Sequence, residues 1–199
     1  MMKNREYDEI WTIIPEHTPR IIRKCPRCER TKFYSSDKFR LNANQKKLDA
    51  WLIYKCVGCD YTCNIAIVKR KTVSQIDKEL LCKYRDNDRE LSQFYAFNIT
   101  IFNNNLKVDW DIKFQVESTV HNVEETQPLI VKKICIQSKY NLKLPAFSIL
   151  KEKLKLSRTK LDQLHARDQL VLLDREGANQ KLKTPISQIS EIIFDKMYD

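Results

Sequence analysis

Apolar and polar residues alternate with a period of two in several short stretches, and with a period of three to four in others. Ile10-Trp11-Thr12-Ile13-Ile14 is a short apolar segment that Pro15 and Pro19 bring to an end. Lys38 to Asn42 and Leu48 to Cys56 read as two strands, joined by a polar, turn-forming tip over residues 42–47. Tyr61 to Lys69, with Ile65 and Ile67, reads as a third. From Ser74 to Phe97 the period lengthens. Ile76, Leu80, Leu81, Tyr84 and Leu91 mark a helix with Ser74 as its cap, interrupted by the charged run 85–89. Asn103-Asn104-Asn105 predicts a turn. Val108 to Val116 predicts one half-buried strand, and Leu129 to Ile136 another.

Beyond Leu142 the period is helical again. Phe147, Leu150 and Leu154 form one stripe, and Ser157 caps a second helix whose Leu161 and Leu164 face inward. Leu170 to Leu173 is a short strand, and Ser187 to Met197 fits either a helix or a strand. The expectation is an α+β protein in three consecutive modules. These are a β-rich module over 1–71, a mixed helix and strand region over 72–141, and a small C-terminal α/β module over 142–199.

Four of the seven cysteines change this picture. Cys25 and Cys28 are two residues apart, and so are Cys56 and Cys59. Such a pair lets two thiolates of one tight turn point at one ion, while intervening amides donate to the sulfurs. Two such turns separated by a hairpin make a zinc ribbon. The 27-residue spacer between Cys28 and Cys56 is long for one, and the hairpin absorbs the excess. Asp60 follows the last cysteine where glycine is usual, and Asp tolerates the left-handed conformation. Four sulfurs leave no position for water, so the expected Zn²⁺ is structural. Cys63 is near enough in sequence to compete as a ligand. Cys82 and Cys135 are expected in the interior.

Composition narrows the function. Only two glycines occur, Gly58 and Gly177, and neither a phosphate-binding loop nor a dinucleotide fingerprint is present. No apolar run is long enough to span a membrane and no signal segment is visible, so the cytoplasm is the expected location. The net charge of +10 is segregated: +8 over residues 1–71, −4 over 72–131, +8 over 132–183 and −2 over 184–199. Basic modules flanking an acidic middle point to a polyanionic partner, nucleic acid above all.

The C-terminal stretch from Leu144 to Leu172 resembles the S-four-type RNA-binding fold. The matching residues are Leu150, Leu154, Leu156-Ser157-Arg158, Leu161, Leu164 and Leu170. The family's glycine before the strand is absent, with Asp168 nearby. The resemblance implies two helices that present basic residues to a structured RNA, such as ribosomal RNA. Lys153, Lys155, Arg158, Lys160, His165 and Arg167 are the candidate contacts: Arg158, His165, Lys160 and Arg167 border both edges of the buried leucine stripe, and Lys153 and Lys155 add charge on and after the preceding helix. The stretches 39–44 and 48–56, with the later Leu-x-Leu-Ser-Arg, also resemble an uncharacterised bacterial family that pairs a four-cysteine N-terminus with such a tail. That second resemblance brings no activity with it.

No catalytic set is expected. His17, His121 and His165 have no Cys or Ser partner in sequence. Asp109 and Asp111 share one face of a predicted strand and are read as facing water. Trp51, Tyr54 and Phe39 are expected to bury against the ribbon hairpin, with stacking on bases as the alternative. The expectation is a non-enzymatic, zinc-containing RNA-binding protein. The competing readings are a DNA-binding regulator that uses the ribbon and a protein–protein adaptor docking through the acidic middle.

Overall fold

A computed structural model describes residues 7–103, 105–120 and 131–195. The fold is α+β, with ten strands in two five-stranded sheets and five helices among the described residues. His121 lies outside the described residues.

The chain divides into two compact units, Met1–Glu16 with Lys113–Asp199, and His17–Ile112. These boundaries differ from those of three consecutive modules. The apolar N-terminal segment forms β1 (Glu9–Pro15), which pairs with strands from the far end of the chain and not with the cysteine hairpin. Pro15 and Pro19 do break the chain, and the break separates two units.

Within the unit His17–Ile112, the sheet contains β2 (Arg20–Ile22), β3 (Lys32–Asn44), β4 (Lys47–Cys56), β5 (Thr62–Thr72) and β6 (Lys107–Asp109), in the order β5-β4-β3-β2-β6. The hairpin tip closes with Gln45 at φ 55°. Two helices stand where one interrupted helix was expected. α1 (Lys78–Arg85) is capped by Asp77, whose carboxylate accepts from the Leu80 amide, and α2 (Arg89–Phe97) is capped by Asp88 in the same way. Ser74 lies in a short 3-10 turn and caps nothing. A four-residue helix, α3 (Ile99–Phe102), follows. Asn87, at φ 53°, breaks the run, and its side chain accepts the Phe39 amide at 2.7 Å. These helices pack on the sheet face that presents Phe39, Leu52, Tyr54 and Ile65.

The stretch expected as one strand over 108–116 is two. β6 ends at Asp109, and β7 (Phe114–Val120) begins beyond a bend and joins the other unit's sheet. That sheet contains β1, β7, β8 (Val131–Gln137), β9 (Leu170–Leu173) and β10 (Glu191–Asp195) in the order β7-β1-β8-β10-β9. The tail is therefore a strand. Glu9 on β1 is buried, and its carboxylate is met by the Lys132 ammonium and the Ser118 hydroxyl, which removes the cost of an unpaired buried charge. α4 (Ala146–Leu154) and α5 (Arg158–Ala166) sit between β8 and β9. Ser157 caps α5 by accepting from the Lys160 amide, and Leu161 and Leu164 are buried.

Candidate metal centre

The first cysteine pair lies in the turn between β2 and β3; of the second, Cys56 ends β4 and Cys59 lies in the turn that leads to β5. Antiparallel pairing of β3 with β4 sets Phe33 opposite Cys56, so the ends of a long hairpin come together. The Val57 amide donates to the Lys32 carbonyl at 3.1 Å and ties one turn to the other. The length of the spacer is therefore immaterial, because the ladder returns the chain to its start.

The two turns share one hydrogen-bond pattern. The Cys25 amide donates to the Arg30 carbonyl at 2.7 Å, and the Cys56 amide donates to the Tyr61 carbonyl at 2.9 Å. The Glu29 amide donates to the Cys25 carbonyl, and the Asp60 amide to the Cys56 carbonyl, each at 3.1 Å. Glu29 and Asp60 sit in the left-handed region at φ 61° and 56°. Amides also point at sulfur: Arg27 to Cys25 Sγ at 3.4 Å, and Gly58 to Cys56 Sγ at 3.5 Å. The role of Asp60 was visible from its residue type. That of Glu29 was not, since Glu carries no such preference.

Gly58 serves a different purpose from a left-handed turn. A Cβ at this position would lie 2.8 Å from Arg30 Cγ and 3.3 Å from Cys28 Sγ. Its bare α-carbon lets the two turns close on one another.

The four sulfurs lie within 4.8 Å of one another, with Cys28 and Cys56 at 3.4 Å and Cys25 and Cys59 at 3.7 Å. Cys25 and Cys56 are buried, and Cys28 and Cys59 are half-buried. Burial raises the Cys56 thiol, but the Gly58 amide and the Cys28 thiol more than offset it, bringing Cys56 down to about 7. The Arg30 amide lowers Cys28, yet burial and the other three thiols push it up to about 12. The donor set fits a cation. Neighbouring thiolates repel, and a divalent ion between them removes that repulsion. Cys63 is not part of the group. It is buried, and its sulfur accepts from the Arg23 guanidinium at 3.3 Å beside a cavity of about 210 Å³.

Two further cysteines depart from expectation. Cys82 is exposed on α1, and Cys135 is half-buried, with burial raising its thiol. His17 is half-buried, with its Nδ1 3.0 Å from the Thr18 carbonyl oxygen. Asp109 and Asp111 do not form a free carboxylate pair. Asp109 binds Lys32 Nζ at 2.6 Å and accepts the Asp111 amide at 3.1 Å, and Lys32 holds its carboxyl below the usual range.

The six basic candidates near the C-terminus fall in one unit but in different surroundings. Lys160 and Arg167 are exposed. Arg158 is exposed, bound to Asp162 at 3.0 Å and set over the Phe147 ring at 4.2 Å. Lys155, at φ 56°, binds Glu152 at 2.8 Å. Lys153 is half-buried, 5.8 Å over the Trp11 ring, and His165 places Nδ1 2.9 Å from the Leu170 carbonyl. No helix among the described residues is long and apolar enough to cross a membrane.

The fold and the cluster define an α+β chain with a four-cysteine group compatible with a metal site. The chain belongs to a family of proteins of unknown function, DUF1062, whose model matches residues 41–176. The matched stretch includes Cys56 and Cys59 and begins after Cys25 and Cys28. No curated protein and no solved structure matches the chain.

Proposed function

We propose that the chain is a zinc-containing RNA-binding protein that acts by binding and not by catalysis. The ion would be Zn²⁺. Tetrahedral zinc with thiolate bonds of about 2.3 Å has sulfur–sulfur edges of about 3.8 Å. The separations of 3.4 and 3.7 Å need little adjustment to reach that value. With four sulfurs bound the ion has no open position, so its role is structural.

The observation that carries the RNA reading is the run from α4 to β9. A helix ends in left-handed Lys155, and Ser157 caps the next helix. Left-handed Asp168, at φ 57°, then turns the chain into a strand. This order agrees with the S-four resemblance, with Asp168 standing near the place of that family's glycine. α5 buries Leu161 and Leu164 and leaves Lys160 exposed, with Arg167 exposed at its C-cap. Those two cations are the foremost phosphate contacts. Arg158 and Lys155 would exchange a carboxylate partner for phosphate, while Lys153 and His165 would hold the helices in place.

Binding of this kind releases counterions and weakens steeply with salt. The test is a filter-binding titration of a structured RNA hairpin at several salt concentrations, with duplex DNA as competitor. Replacing both Lys160 and Arg167 by Glu is expected to reduce hairpin affinity by at least about tenfold and to flatten the salt slope. Retention without salt dependence, or unchanged affinity in the double variant, refutes the reading. Preference for duplex DNA favours the regulator reading.

A further inference from the structure

The second strongly basic region forms the cysteine-bearing sheet, and its charge has a direction. Residues 32–72 carry nine Lys or Arg against three Asp. Side chains of β3, β4 and β5 alternate between two faces. The inner face holds Phe33, Phe39, Leu52, Tyr54 and Ile65 under the helices. Strand register fixes what lies on the outer face. Tyr34, Lys55 and Thr62 form one rank across the three strands. Lys38, Ile53 and Asn64 form the next, and Arg40, Trp51 and Ala66 the third.

Trp51 is the aromatic residue at the centre of that face. Its chain neighbours Ala50 and Leu52 are fully buried, whereas Trp51 is only half-buried. Phe39 and Tyr54, considered with it from sequence, point inward and are buried. Arg40 stands across from Trp51 on β3, small Ala66 stands across on β5, and exposed Lys38 lies one rank away. Two carboxylates border this face: Asp49 accepts the Arg70 amide at 2.8 Å, and Asp60 accepts the Tyr34 hydroxyl at 2.9 Å. From Lys47 to Lys55 the face runs about 27 Å along β4. A half-covered indole with Arg40 beside it and Lys38 one rank away is a stacking platform. Cations draw in the phosphates, and any base can lie on the ring.

We infer that the outer face of β3, β4 and β5 is a binding site for single-stranded RNA, with a base stacked on Trp51 and phosphates held by Arg40, Lys38 and Lys55. This deepens the RNA-binding reading, on which it rests, by adding a site separate from α5 and a preference for unpaired bases.

The test uses the full metal-loaded chain, a labelled twelve-residue oligouridine and an RNA hairpin, read by fluorescence anisotropy. Trp51→Ala is expected to weaken oligouridine binding by about tenfold or more, and Trp51→Phe to retain most of it. Lys38→Glu with Arg40→Glu, both at exposed positions, is expected to weaken it further and to reduce its salt slope while metal content stays unchanged. That double variant decides the matter if Trp51→Ala does not fold. Oligouridine affinity indifferent to both changes overturns the inference, as does sensitivity to charge with none to the ring. If the Lys160 and Arg167 variant loses the hairpin while the sheet variants lose nothing, the inference falls and the α5 reading stands. If the sheet variants lose oligouridine while the α5 variant keeps the hairpin, the inference stands and the α5 reading falls. Binding of neither RNA overturns both.

Discussion

The unit His17–Ile112 keeps aromatic rings and thiols inside, whereas the unit that joins Met1–Glu16 to Lys113–Asp199 is filled largely with leucine and isoleucine. Phe33, Phe39, Tyr54, Tyr84 and Tyr95 line the first core, with Cys25 and Cys56 at its edge. Ile134, Leu142, Ile149, Leu161, Leu170 and Ile192 are fully buried in the second or nearly so. The difference follows from how each segment closes. β2 to β5 form a meander whose neighbours are close in sequence, and the four clustered cysteines lie at its open end. The other sheet must bring β1 beside β8 across more than a hundred residues, where a parallel ladder and the buried Glu9–Lys132 ion pair join the two strands. On the proposed zinc reading, stability in one unit is concentrated in a few sulfurs. In the other it is spread over many methyl groups.

Removing the metal is the most severe way to break this contrast. Zinc-finger peptides draw about 10–16 kcal/mol from the ion, far above the few kcal/mol that a small core supplies alone. Stripping the ion with a chelator, or replacing Cys59 by Ser, should abolish hydrogen-exchange protection in β3, β4 and β5. Protection in β8 and β10 should persist. Elemental analysis of the purified chain should give one zinc per molecule. A metal-free chain with full protection in β4 would refute the account of the centre.

Leu161→Ala tests the opposite half. Leu161 is fully buried, and deletion of three methyl-sized groups from such a site costs about 2–5 kcal/mol. Urea unfolding should show that loss for the leucine-rich unit, while zinc release by a competing chelator keeps its wild-type midpoint. A shift of both transitions together would show that stability is shared and not divided.

How much of this was legible beforehand depends on whether the signal was local. The cysteine spacing located all four clustered sulfurs, because each pair is one turn and a turn is a local object. Ser157 and the strand 170–173 were readable for the same reason. β1 was misplaced because period-two alternation identifies a strand without naming its partner. The single strand expected over 108–116 failed at residues 110–113, where alternation continues through a bend between two sheets. Asp77 displaced Ser74 as a cap because the helix begins after a 3-10 turn that the apolar period does not register. Trp51 and Tyr54 sit three apart on one strand, so they had to face opposite ways. Register then decides which is covered.

Acid should act on the two units by different routes, and this gives the finest test of the contrast. In the cysteine unit, low pH would release the proposed ion, because protons compete with a metal for thiolate ligands. In the leucine-rich unit one sensitive group is Asp174, in the turn after β9. Its carboxylate accepts the Ala178 and Glu176 amides, each at 2.9 Å, and the Gln180 side-chain amide at 2.7 Å. The Ala178 amide, with those of Glu176 and Gly177 and the Gln180 side chain, holds this carboxyl below its usual value. A depressed folded value means that the charged form adds stability above the unfolded carboxylate range. That contribution disappears as pH falls through the folded value. Asp174→Asn should therefore lower the melting temperature of the leucine-rich unit by a few degrees at pH 7. The gap from wild type should narrow as pH falls below the ordinary carboxylate range, because the native carboxyl then becomes neutral as well. Scanning calorimetry at matched pH values reads both points. A gap that stays constant across that range would show that the turn depends on the shape of the side chain and not on its charge.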